Sequence, residues 1–203
     1  VVTQDYDNYL MVVIDDCSTD NTYELAKKYE SEKVKIIKNE ENKGAVRNQI
    51  ETINNFCERD DIVMFLDGDD SLVNDNQIFH FYNNLYDNTT EFTYGSCWSM
   101  VDNIPLVSQP YPEQIKKEKK YRSYKFNWNM PYTHLRTFKA YLLENVDEKM
   151  FKDENGNWYK AGGDGSIFYT LIEKCEPNKI KVVQDIVYNY NDTHPLNDYK
   201  VNS

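Results

Sequence analysis

Residues 62–73 read IVMFLDGDDSLV, an apolar run that stops abruptly in three carboxylates within four positions. The run from Ile62 to Leu66 has the length and composition of a buried strand, which places Asp67, Asp69 and Asp70 at its C-terminal end. Three carboxylates that close repel one another, and a divalent cation is the obvious counter-charge. A solvated acidic turn is the plain alternative for this motif taken alone. The rest of the chain decides between them.

Working outward, the upstream residues repeat one pattern. Residues 9–14 (YLMVVI) form a second apolar run, ending at Asp15 and Asp16. Oxygens at Asp16 and at 18–20 are then available to cap a helix over 22–29. Residues 34–38 (VKIIK) predict a strand, Asn42-Lys43-Gly44 a turn, and 45–58 a helix with Val46, Ile50 and Ile53 on one face. This β-α-β-α-β alternation with nearly continuous apolar strands implies an α/β domain built on a mostly parallel sheet. Its ligand crevice is expected beyond the strands' carboxyl ends. Both acidic clusters fall there.

Downstream, the patterns predict a helix over 78–86, a strand over 92–101, a helix over 135–143, a turn at Asn155-Gly156, a helix over 164–175 and a strand over 182–190. Residues 105–125 carry Pro105, Pro110, Pro112 and a lysine-rich run, and are read as a long mobile connection of the kind that serves as a lid. The polar tail from Asn191 is expected to fold over the site or fray.

Composition narrows the function classes. The 203 residues suffice for one domain, 1–203, and carry 34 acidic against 23 basic side chains, a net charge of −11. That balance argues against nucleic acid or an anionic membrane surface as the main partner. No run of about 18 apolar residues is present to span a membrane. The four cysteines, Cys17, Cys57, Cys97 and Cys175, are widely spaced, which fits reduced thiols and a cytoplasmic or other reducing compartment.

Taken in order and spacing, VVIDDCSTDNT (12–22), NKGAVRN (42–48) and FLDGDD (65–70) resemble the GT-A glycosyltransferases of family 2. The segments THLRTFK (133–139), AGGDGSIFYTLIEK (161–174) and VYNYNDTHPLND (187–198) look like the acceptor-side half of some members. The resemblance implies a nucleotide-sugar-binding half, 1–101, and an acceptor-side half, 102–203. Members usually begin with a strand of the type IIIPTYN, and this chain starts after it. Residues 1–9 then correspond to the end of the first helix and the loop before the second strand, and the neighbours of that first strand are expected to show open edges.

The family's chemistry, carried onto this chain, implies a metal-dependent inverting hexosyltransferase that uses a nucleotide donor of the UDP-sugar type. The acceptor would be a hydroxyl of a glycan, a protein or a small molecule. Asp69 is implied as a direct ligand of Mn2+ or Mg2+, Asp67 as holding the ribose or sharing the metal, and Asp70 as supporting the turn. Asp15 and Asp16 match the nucleotide-binding pair, and helix capping is their alternative role. Lys43, Gly44 and Arg47 match the region that meets base or diphosphate, although two residues separate Gly44 from Arg47 where the family has three. For Lys43 a solvated surface role stands beside this one.

Asp164 is implied as the catalytic base, with a plain N-cap as the alternative. His194 is a candidate third metal ligand or a surface histidine. Trp128, His134 and Arg136 are candidates for the acceptor side, or for a helix start packed beside aromatics.

Three rival readings remain. A metal-dependent phosphoryl-transfer enzyme gives no task to Asp15, Asp16 or NKGAVRN. A calcium loop needs glycine where Leu72 stands and glutamate where Ile78 stands. A degenerate module that holds a nucleotide sugar without transferring it is distinguished by assay alone.

Overall fold

The computed structural model describes residues 1–87, 89–124, 133–160, 163–191 and 193. Two sheets organise them. The first pairs β1 (Met11–Asp15) with β2 (Val34–Lys38) in parallel, and α1 (Thr22–Lys27) makes the crossover. None of the expected oxygens caps α1, whose N-cap is Asn21 with no side-chain cap bond; Asp20 instead accepts from the Thr22 amide at 2.9 Å in the turn before it.

The second sheet has six strands in the order β3 (Ile62–Phe65), β7 (Thr133–Lys139), β5 (Phe92–Ser99), β8 (Ile180–Tyr190) and β4 (Ser71–Leu72), with β6 (Ile104–Leu106) on β5. Parallel pairing holds for β1–β2 and β5–β8, whereas β3–β7, β5–β7, β4–β8 and β5–β6 run antiparallel. The α/β class therefore stands with a mixed sheet. Among the described residues no strand pairs with the outer edge of β1 or of β3.

Both faces of the larger sheet are covered. On one side α2 (Ala45–Phe56) and α5 (Gly163–Lys174) pack Val46, Ile50, Ile53, Phe168 and Leu171 against Val63, Phe92 and Phe138. On the other, α3 (Ile78–Leu85) packs Ile78 and Tyr82 against Leu135, Val183 and Val187. Burial of this kind is the main force holding an α/β layer structure together.

Three expectations need correction. Residues 135–143 are not a helix: Thr133–Lys139 is a strand held between β3 and β5, followed by a 3-10 turn at Ala140–Leu143. Leu135, Phe138 and Leu142 have helix-like spacing, but this strand is buried on both faces, so the period-two signature of a half-exposed strand is missing. Residues 105–125 are not an irregular connection. They contain part of β6, helix α4 (Glu113–Glu118) and a 3-10 turn at Tyr121–Ser123, and Tyr111 and Tyr121 are buried beside Tyr94. Residues 1–9 form turns without a helix, with Tyr6 and Tyr9 edge-on to Phe79 of α3.

Two glycines set close approaches. A Cβ on Gly95 would lie 2.8 Å from the Leu135 backbone nitrogen, and one on Gly163 would lie 1.9 Å from a methyl of Val46. The second contact fixes where α5 begins, and so where Asp164 stands. All four cysteines are free.

Candidate active site

The candidate residues stand at the carboxyl ends of β1 and β3, where the sequence places the ligand. At the end of β1, Asp15 is buried; its Oδ1 accepts from the Ser18 amide at 2.7 Å, and its Oδ2 is buried with no hydrogen-bond partner among the described residues. A buried carboxylate oxygen without a donor is costly, which makes it a candidate acceptor for a ligand's N–H or O–H. Asp16 is differently placed. Its two oxygens accept from the Lys43 amide at 2.9 Å, the Gly44 amide at 2.8 Å and the Asn39 side chain at 2.7 Å. Burial favours its neutral form, but the hydrogen bonds from Lys43, Asn48, Asn39 and Gly44 outweigh that and hold its carboxyl below the usual range. Asp16 thus shapes the 43–44 turn, where Gly44 has φ 80°. Lys43 and Arg47 both bind Glu51 of α2, at 2.8 and 2.7 Å.

At the end of β3 the carboxylates gather. Asp70 closes the turn through its amide on the Asp67 carbonyl at 3.2 Å. Tyr188, near the end of β8, donates its hydroxyl to Asp70 Oδ2 at 2.5 Å and accepts from the Asp67 amide at 3.2 Å. The Asn191 amide donates to Asp70 Oδ1 at 2.7 Å, and its side chain donates to the Asp69 carbonyl at 3.1 Å. These bonds hold the acidic turn in one shape.

Electrostatics follows from that crowding. Asp67 is pushed up to about 7, first by burial and then by the charge of Asp164, with Arg136 opposing and Asp70 and Asp69 adding. Asp70 is also raised, by burial above all, against the hydrogen bonds from Tyr188 and Asn191.

Beside this turn stand His134 and Arg136 of β7. Arg136 is opposite Phe65, two positions before Asp67. Its Nη1 donates to Asp164 Oδ2 at 2.8 Å, and its Nη2 lies 2.9 Å from His134 Nε2. The His134 ring is stacked with those of Tyr188 and Tyr190, with centroids 4.6 and 5.4 Å away. Burial, then the Arg136 charge, lowers its pKa well below the ordinary value, so the imidazole is neutral. Asp164 lies within the first turn of α5, which begins at Gly163.

Donor atoms of Asp67, Asp70 and His134 lie within 4.8 Å of one another, close enough to share one cation. Two carboxylates and an imidazole suit Mn2+ or Mg2+ in ligand chemistry, and the His134 Nε2 already faces Arg136, which leaves the carboxylates as the stronger candidates. Asp69 is exposed on the same turn. His194 and Trp128 lie outside the described residues. Sequence reasoning gave Asp70 only a supporting part and passed over Tyr188 and Asn191. The alternation in VYNY, which puts Tyr188 and Tyr190 on one face of β8, was the available signal.

No helix among the described residues is long and apolar enough to cross a membrane. No curated protein matches the chain. Residues 1–147 match the model for glycosyl transferase family 2.

Proposed function

The chain belongs to glycosyl transferase family 2, and we infer that it is a nucleotide-sugar glycosyltransferase with a donor side and an acceptor side. We propose that it is a metal-dependent, inverting hexosyltransferase that moves a sugar from a UDP donor to a hydroxyl acceptor. The observation that carries this reading is the convergence of Asp67, Asp70 and Asp164 around the single guanidinium of Arg136, at the carboxyl end of β3.

In this reading the chain is one domain, with the donor bound by residues from 1–101 and the acceptor met by 102–203. Asp15 offers its unpartnered Oδ2 to the base or ribose. Asp16 keeps the turn at Lys43 and Gly44 in place, and Lys43 and Arg47 reach the diphosphate by exchanging their bonds to Glu51. Asp67 and Asp70, with Asp69 at the rim and His194 from the tail, would hold Mn2+ or Mg2+. When bound, such an ion supplies neutralisation of the charge that builds on the leaving diphosphate.

Asp164 takes the proton from the acceptor hydroxyl, so that the acceptor oxygen forms its bond to the anomeric carbon as the bond to the nucleoside diphosphate breaks on the opposite face. The carboxylate is suited to this because it is half-exposed at a helix start, able to meet a substrate that arrives from solvent.

Calorimetry of UDP binding in Mn2+ and in chelator tests the donor half. Tight binding in Mn2+ that is lost in chelator and in Asp67→Asn is expected, because an acidic crevice repels a bare diphosphate. Equal affinity with and without the ion removes the metal assignment.

A further inference from the structure

Arg136 is a buried cation, 3% exposed, set among acids on an interior strand. Both terminal nitrogens are engaged within the protein, one on Asp164 and one on His134, and the guanidinium carbon lies 4.5 Å from the centre of the Phe168 ring. Phe168 belongs to the same helix as Asp164, one turn further on. The guanidinium therefore meets α5 at two points, Asp164 in the first turn by charge and the Phe168 ring in the second by a cation–π contact.

The Asp164 side chain is about half-exposed, at 47%, against 4% for that of Arg136. Left alone, a carboxylate so exposed samples several rotamers. Net stabilisation is a weak explanation for the pair, because the cost of burying the guanidinium offsets much of its attraction to a half-exposed carboxylate. What a fixed guanidinium supplies is direction. It occupies Oδ2 and leaves Oδ1 without a hydrogen bond among the described residues.

His134 extends the same logic. Its ring is stacked with Tyr188 and Tyr190, and Tyr188 itself is tied to Asp70 and Asp67. A line of contacts thus runs from the acidic turn through Tyr188, His134 and Arg136 to Asp164. We propose that Arg136 is the positioning residue of Asp164, aiming its free oxygen at the acceptor while His134 holds the guanidinium at its other end. This rests on the reading of Asp164 as the base. A lysine at 136 keeps the charge but lacks the fork that binds His134 and Asp164 together.

The test uses the full chain and the variants R136M, R136K, D164N and R136M/D164N. Crystal structures are determined, and nucleoside diphosphate release is measured from UDP-, GDP- and dTDP-sugars in Mn2+. In R136M the Asp164 carboxylate is expected to leave its place and kcat to fall about 10- to 100-fold with donor KM nearly unchanged, the effect of misplacing a reacting group by roughly an ångström. R136K should recover part of the loss. Because Arg136 acts through Asp164, the double variant should be no slower than D164N alone.

Losses that multiply in the double variant, or an R136M enzyme with Asp164 unmoved and kcat unchanged, overturn the positioning role and leave Asp164 as base. D164N acting at the unmutated rate overturns the base assignment and the positioning role together. If R136M does not fold, R136K decides by the same displacement and the same non-additivity with D164N, and the absence of both overturns the proposal.

Discussion

The β1–α1–β2 unit and the six-stranded sheet present similar apolar strands in very different settings. Four of the five residues of β1 are only half-buried, and α1 beside it buries no residue, whereas β5 is fully buried at seven of its eight positions. The smaller unit buries Val34 and Ile36 of β2 and adds polar bonds made by Asp15 and Asp16 at the end of β1. The larger sheet keeps its form through Phe92, Phe138 and Phe168, packed against one another under α5. The pattern of local motifs is densest in the thin unit, while the burial is densest elsewhere.

The contrast can be broken by truncating one residue in each. Phe138→Ala is expected to cost about 3–5 kcal/mol in urea unfolding, the ordinary range for a buried phenylalanine. Ile36→Ala in β2 should cost about 2 kcal/mol, near the low end of its class, since the site relaxes easily. Equal losses would show that the two sheets share one core.

Next in size is Gly163→Ala. Its new methyl would meet Val46 at 1.9 Å, and such overpacking costs about 1–3 kcal/mol. Val46→Ala in the same chain should recover most of the loss in thermal melts. Failure of that rescue would place the strain in the backbone of α5.

Asp16→Asn sharpens the other side of the comparison, with an expected loss of about 1 kcal/mol. Its folded pKa is lowered, so its contribution is complete above the unfolded value of about 3.9 and disappears as pH falls through the folded value. The unmutated chain should therefore lose stability relative to Asp16→Asn as pH drops below about 4, which acid titration followed by circular dichroism measures. Smallest of all is Leu25→Ala on α1, where the side chain is 47% exposed and the change should stay within about 0.5 kcal/mol.

These differences also explain what the sequence revealed. Strands β1, β2 and β3 and helices α2 and α5 announce themselves because their apolar residues follow one period and end at turn or acidic residues. Strand β7 does not. His134, Arg136 and Thr137 are polar yet buried, serving the site and a hydroxyl pair, Thr93 with Thr137 at 2.6 Å, so polarity there carries no information about facing. The buried part of 105–125 was hidden for a related reason: Tyr111 and Tyr121 are isolated in the sequence among prolines and lysines, and the contacts that bury them, with one another and, for Tyr111, with Tyr94 of β5, exist only in the fold.

At the site, Asp15, Asp67 and Asp164 could be picked out from their places at strand ends and a helix start. Their partners were less legible: Arg136 stood out only as an acceptor-side candidate and not as the partner of Asp164, and Tyr188 reaches Asp67 from a strand far along the chain.

That long reach bears on how the protein is made. Phe92 of β5 lies opposite Ile180 of β8, and Phe65 of β3 lies opposite Arg136 of β7. On a ribosome adding roughly 5–20 residues each second, the central strand waits on the order of ten seconds for its parallel neighbour. During that interval its backbone donors and acceptors on one side are open to any other nascent strand, so β5 is the segment that a chaperone arriving early has most reason to cover.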